Sequence, residues 1–487
     1  MALIPLNKAF SQPDTYESNG YALLPMRFTP LDDLTVVATN LVGEYVTLSR
    51  ADLGRLAGRT LDSSDPLFKK LKSTHFIYDG TSDVACELLA TKLRSKHAIF
   101  REFTALHIFV VTLRCEHSCS YCQVSRVTDD KTKFDMSRDT ADRAIDFMFK
   151  SPSPVLKVEF QGGESLLNFD LITHIVESCR TRGDARPLEF VIATNLSIVT
   201  DEMLAFCRQH DVLISTSLDG PPTLHNKNRK HQGGDSHSRS IDGIRKAREV
   251  LGPHAVSALM TTTADSLVMP REIVDEYLSQ GFRSIFLRPI NPYGFAVRSE
   301  DRIGYTPEQF VEFYKTALDY ILELNRQGVP FREDFASIVL TKALSPHGTG
   351  YVDLQSPAGI GMKVLVYNYD GFVYASDESR MLAEMGDFRF RLGNLNLQSY
   401  EEVFLDSDIL AIVRDTMVEG VPQCADCAFM TWCGTDPVRH HRTQGDIVGH
   451  RPTSEFCHRN MEIMKHLVRL LDQGGETDRV LRSWVRW

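Results

Sequence analysis

Apolar residues change period along the chain, and the changes mark its regions. Over residues 1–100, short runs at 21–28, 34–39 and 44–48 read as strands, followed by helical spacing at 49–56 and 84–93. That mixture predicts a small α+β unit. From His107 onward the apolar runs become continuous. They fall at 107–114, 155–161, 188–194, 212–219, 255–263 and 284–290, with helical spacing between them: at 137–150 behind a Ser137 cap, then from Asn168, Thr200, Ser240 and Pro270. Regular βα alternation predicts an α/β fold with a parallel sheet and right-handed crossovers. Six units fall short of a closed eight-unit barrel, so residues 101–305 are expected to form an open, partial (β/α)6 barrel. Its functional face should lie at the C-terminal ends of the strands. Residues 306–350 read as two linking helices, and 351–487 as a mixed, cysteine-rich C-terminal domain.

Composition narrows the class. The chain has 487 residues, 43% hydrophobic and 24% charged, which excludes disorder, collagen and coiled coil as its main character. A formal net charge of −10 argues against a nucleic-acid partner. No apolar stretch is long enough for a membrane span, and the first residues lack the basic and apolar parts of a secretory signal. The expected location is the cytoplasm, where structural disulfides are rare. The ten cysteines therefore belong to core, catalysis or metal. Cys86, Cys179 and Cys207 sit on apolar helical faces and are expected as buried core thiols.

The other seven form two groups. Cys115, Cys119 and Cys122 follow the first strand directly, with Tyr121 before the last of them. Three thiolates cannot fill a zinc site alone, but they can hold three irons of a [4Fe–4S] cluster and leave the fourth open. Gln161-Gly162-Gly163-Glu164 follows the second strand. This combination resembles the radical S-adenosylmethionine (SAM) enzymes. The resemblance implies SAM at the open iron, cleaved reductively to a 5′-deoxyadenosyl radical. It implies that Gly162 and Gly163 permit close backbone approach and that Glu164 meets the SAM ammonium; Ser165 stands where the family often has Pro. Thr194-Asn195 after the third strand is expected near the cofactor. Ser217-Leu218-Asp219-Gly220, with His225 and Arg229, resembles the sulfatase-maturase and peptide-maturase branch, in which Ser217 would meet the ribose or carboxylate and Arg229 would pair the SAM carboxylate. Arg288, at the end of the sixth strand, is a candidate for backbone contact with adenine.

Cys424, Cys427, Cys433 and Cys457 supply four thiolates, which suit either a structural zinc knuckle or an auxiliary [4Fe–4S] cluster. Their spacing resembles the SPASM-type extension of radical SAM peptide maturases, but the pattern is incomplete. Ala358, Ser376 and Pro437 stand where further cysteines are expected. One auxiliary cluster is therefore expected rather than two. Strings at about 20–50 and 364–395 resemble the His-Xaa-Ser system radical SAM maturases. That resemblance implies a ribosomally made precursor peptide as substrate and residues 1–100 as a peptide- or partner-binding unit. It also implies a reducing partner such as flavodoxin or ferredoxin, and a paired radical SAM maturase. By resemblance to the sulfatase-maturase relatives Asp377 is a candidate general base, with a turn or capping role as the alternative. Gln161 is a candidate substrate contact. The alternatives are a sulfatase-maturase-like formylglycine-forming enzyme and a non-catalytic peptide-binding scaffold.

Overall fold

The computed structural model describes residues 20–98, 103–124 and 130–485. The expected boundary at 100–101 lies outside these residues. The N-terminal unit holds an antiparallel sheet of Met26–Pro30, Thr35–Asn40 and Tyr45–Ser49. Ser49 caps the helix Arg50–Ala57 by accepting from the Asp52 amide. Pro66–Ser73, a further helix, was not among those expected, although its Asp65 cap and its Pro at the first position are helix-start signals. Val84–His97 is the third helix. It buries only Leu89, and Cys86 is half-buried rather than a core thiol. Cys179 and Cys207 are buried, as expected.

The main sheet has eight strands. Five are the expected parallel strands: Leu106–Thr112, Leu156–Gly162, Leu188–Thr194, Val212–Ser217 and Val256–Leu259, paired in chain order. The first expected helix is Arg138–Met148, capped by Ser137. The fourth crossover helix starts at Ser236, four residues before the expected Ser240, because Asp235 caps it.

The sixth strand departs from expectation. Within residues 284–290 only Ser284–Ile285 is a strand, and it pairs with Arg332–Glu333 outside the main sheet. The place beside the first strand is taken instead by Val364–Tyr367, which runs parallel to it, and Phe372–Tyr374 and Arg391–Asn394 extend the edge antiparallel. The C-terminal region thus shares one sheet with the barrel. Helices Pro307–Arg326 and Asp334–Leu344 bury Phe310, Tyr314, Leu318 and Leu340 in one core with Leu467 and Val468 of the helix Glu455–Asp472. Among the described residues no helix is long and apolar enough to cross a membrane.

Candidate active site

The Gly162-Gly163 pair is set by the chain's own backbone. The Gly163 amide donates to the Thr112 carbonyl and the Glu164 amide to that of Arg114, both at 2.8 Å. A Cβ on Gly162 would stand 1.9 Å from the Thr112 oxygen, and one on Gly163 2.2 Å from the Arg114 oxygen. The second strand's end is therefore stitched to the residue immediately before Cys115. The cysteine loop is held from the other side by a short antiparallel pairing of His117–Cys119 with Arg229–His231.

A polar network fixes the loop further. The Glu116 carboxylate accepts from the Asn195 amide at 2.7 Å and from the Ser197 hydroxyl at 2.6 Å, and lies 3.1 Å from His117 Nδ1. The other His117 nitrogen is 2.8 Å from the Ser236 hydroxyl. Burial opposes ionisation of Glu116, but the donors from His117, Ser197 and Asn195 outweigh it and hold the group below its usual range. Glu116 and His117 were not singled out from sequence. Their signal was only their position between two cysteines.

Glu164 is buried, 1% exposed. It accepts from the Thr194 hydroxyl at 2.6 Å and from the backbone amides of Asn195 at 2.8 Å and Leu166 at 3.0 Å. Burial, and secondarily the charge of Glu116, push it up to about 7. It stands behind the cavity wall and orients Thr194 and Asn195. Asp219 is a second hub, wholly buried. It accepts from the Tyr121 hydroxyl at 2.6 Å, from Asn228 at 3.2 Å and from Arg229 Nε at 3.2 Å. The Arg229 guanidinium lies over the Tyr121 ring, 5.3 Å from its centre.

The expected residues meet. Cys115, Cys119, Tyr121 and Cys122 border a cavity of about 1100 Å³ together with Gln161, Gly162 and Gly163. Thr194, Asn195, Ser217, Arg229, Arg288 and Asp377 complete its wall. Glu164 alone among the expected residues of this region is not on it. The Arg288 carbonyl, expected at adenine, accepts from the Thr262 amide at 2.9 Å. The cavity continues into the sheet interior, where Glu159, Asp353, Asp377 and Glu378 gather around Arg288. Gln161 donates to Glu159 at 2.8 Å. Burial pushes Glu159 up, and burial with the neighbouring Asp377 and Asp353 charges pushes Glu378 well up. Ser376, not Asp377, caps the helix Asp377–Ala383, so the Asp377 carboxylate stays on the cavity wall.

The C-terminal cysteines also converge. All four line one cavity of about 430 Å³, walled also by Val418, Phe429, Met430, Met461 and Met464 and by Gln423, Gly434 and Arg451. Arg451 Nε donates to Cys424 Sγ at 3.0 Å. Burial pushes the Cys433 thiol up to about 11 and Cys457 up to about 12. The N-terminal sheet clamps this loop. Arg27 donates to the Ala425 carbonyl at 2.6 Å, Thr39 to that of Ala428 at 2.6 Å, and Trp432 Nε1 to that of Gly43 at 2.9 Å. Sequence periodicity carries no sign of these contacts, each spanning nearly 400 positions. The positions lacking cysteine are filled. Ala358 is fully buried beside Ala375 and Val438, Ser376 caps its helix, and Pro437 opens another.

Residues 109–284 match the Radical SAM superfamily, so the chain contains a domain of that superfamily. An uncharacterised protein of Methanocaldococcus jannaschii is 25% identical over 250 residues, 49% of this chain and 84% of that protein. A cysteine-type anaerobic sulfatase-maturating enzyme of Clostridium perfringens is 22% identical over 351 residues, 68% of this chain and 89% of its own length. Among solved structures, anSMEcpe with bound AdoMet superposes with a TM-score of 0.62 at 16% identity, covering 77% of this chain and 98% of that one. Streptococcus suis SuiB bound to its precursor peptide SuiA gives 0.52 at 12% identity, covering 88% and 98%. At these identities the likeness is one of fold.

Proposed function

We propose that this chain, which contains a radical SAM domain, cleaves SAM reductively and modifies a ribosomally made peptide. One observation carries the reading. The three cysteines and the polar groups of successive strand ends border a single cavity that opens into an acidic interior walled by Glu159, Asp353, Asp377 and Glu378. A [4Fe–4S] cluster with SAM at its open iron supplies, when bound, a carbon radical that removes a hydrogen atom from the substrate. Cys115, Cys119 and Cys122 hold that cluster. Arg229, anchored by Asp219, pairs with the SAM carboxylate. Thr194, Asn195 and Ser217 hydrogen-bond the rest of the cofactor, with Glu164 fixing the first two from behind. Asp377 would take a proton from the substrate radical, with the remaining electron passing to the auxiliary cluster, and Gln161, braced by Glu159, orients the substrate.

The second cysteine set holds one auxiliary [4Fe–4S] cluster in preference to zinc. The spacing of Cys424, Cys427, Cys433 and Cys457, which resembles the SPASM-type extension, and their convergence on one cavity support the cluster. Electrons come from a reducing partner such as flavodoxin or ferredoxin. The substrate is a precursor peptide of the His-Xaa-Ser type, handled with a paired maturase in the cytoplasm. The first 100 residues present the peptide or a partner. The Clostridium perfringens relative supports a second reading, oxidation of a Ser or Cys in a sulfatase to formylglycine.

Co-expression with each neighbouring small open reading frame, followed by mass spectrometry, tests the assignment. A peptide lighter by two hydrogens supports it, and modification of a sulfatase-motif peptide alone favours the second reading. Anaerobically reconstituted protein should carry about eight irons, and about four after Ala replacement of Cys115, Cys119 and Cys122. SAM cleavage unchanged in Cys119→Ala refutes the radical SAM chemistry.

A further inference from the structure

A separate cavity of about 660 Å³ lies where the helix Val84–His97, the helix Asp334–Leu344 and the Cys433 loop meet. Lys96 and Lys342 both line it, with His97 and His347 beside them. Lys342 is 7% exposed. Its ammonium donates to the carbonyls of Leu354 and, at 2.9 Å, Cys433. The Lys96 ammonium donates to the Lys342 carbonyl. These acceptors are neutral. Among the described residues neither lysine has a carboxylate within 4.0 Å. Glu44, the acid that acts on Lys96, is paired with Lys92. Glu419, the acid on the wall, accepts from the Ser356 hydroxyl at 2.8 Å.

An ammonium carries three donors. Lys342 uses two on carbonyls and Lys96 one, so both keep N–H groups for another acceptor. The two carboxylates nearby, Glu44 and Glu419, are engaged by Lys92 and Ser356, so the two lysines repel each other across the recess, and an entering anion relieves that repulsion. The Thr431 hydroxyl on the same wall is buried without a partner, adding a neutral donor. We propose that this pocket is an oxyanion site, taking a carboxylate or phosphate group between Lys96 and Lys342. The bound anion would join the N-terminal unit, through Lys96, to the segment that holds the Cys433 carbonyl. The site is independent of the proposed peptide chemistry.

Isothermal titration of the full-length protein at low ionic strength, with inorganic phosphate in one arm and succinate in the other, tests this. Saturable one-site binding of either supports the site, and the arm that binds more tightly names the ligand chemistry. Lys96→Met should weaken binding by about tenfold or more, the loss of a charge-assisted hydrogen bond. Lys96→Arg should retain most of it. Lys69→Met, which removes the same charge from the helix Pro66–Ser73, should change nothing. Absence of saturable binding in both arms, or equal weakening by Lys96→Met and Lys69→Met, overturns the proposal.

Discussion

Replacing Gly163 with alanine would set a methyl carbon 2.2 Å from the Arg114 carbonyl oxygen and 2.6 Å from its carbon. Ordinary contact begins at 3.4 Å, so the two backbones must part by about 1.2 Å. Neither is a flexible side chain that could swing aside. The separation must break the Gly163-to-Thr112 or the Glu164-to-Arg114 hydrogen bond, each 2.8 Å long. Overpacking costs about 1–3 kcal/mol and an orphaned buried amide about 1–3 kcal/mol more, together roughly 2–6 kcal/mol. Cys115 follows Arg114 directly and must move with it, whereas metal–ligand distances tolerate only about 0.2 Å. The metal site should fail before the fold does.

The assay is anaerobic reconstitution of Gly163→Ala, with iron content, 5′-deoxyadenosine yield and circular dichroism read on one preparation. About four irons should be lost, SAM cleavage should disappear, and the helical signal should persist. Gly54→Ala is the control, since its Cβ meets nothing within 4 Å. It should keep all the iron and gain up to about 1 kcal/mol of helix stability. A Gly163→Ala protein with full iron and wild-type 5′-deoxyadenosine yield would refute the argument.

Glu333 is wholly buried, accepts from Tyr314 at 2.5 Å and from the Ala336 and Leu287 amides at 2.6 and 3.1 Å, and is pushed up to about 7 by burial. A raised folded-state value means that its stability contribution is full below about pH 4.5 and is lost as pH rises through about 7, up to roughly 3 kcal/mol. Glu333→Gln should therefore flatten the fall in melting temperature between pH 5 and pH 8, and an unchanged slope would refute the assignment. Trp432→Phe removes the donor to the Gly43 carbonyl and should cost about 1–3 kcal/mol. Its distinctive signature is faster chelator release of the iron held by Cys424, Cys427, Cys433 and Cys457, with the iron of Cys115, Cys119 and Cys122 unaffected.

The strand-end chemistry was legible because it needs only local pattern. A continuous apolar run buries a parallel strand, and the polar residue that ends the run is delivered to one face of the sheet. Cys115, Gln161, Thr194 and Ser217 all stand at or just after the ends of such runs, where the family resemblance singled them out, and all border one cavity. Pairing between distant segments was not legible. The run at 284–290 is as apolar as a sheet strand, yet its only strand pairing among the described residues is that of Ser284–Ile285 with Arg332–Glu333, and the edge it was expected to occupy belongs to Val364–Tyr367. That exchange has a chemical result. Because the C-terminal segment enters the sheet beside the first strand, the chain leaving its hairpin at Tyr374 brings Asp377 to the same cavity wall as Cys115. The family motif located Asp377 as a candidate, but the topology explains its reach. Glu164 shows the opposite limit. The family resemblance marked it for the cofactor, and its carboxylate also accepts from Thr194, Asn195 and Leu166 behind the cavity wall. Side-chain direction within a turn depends on which donors the next strand supplies, and periodicity does not carry that information. The N-terminal unit follows the same logic. Its strands were visible in the sequence, but their purpose at the cysteine loop rests on Thr39, Arg27 and Gly43 meeting partners nearly 400 positions away. A unit that would present a peptide thus also braces the proposed auxiliary centre, with the Thr29 hydroxyl adding a further hold on the loop by accepting from the Ala428 amide at 3.0 Å.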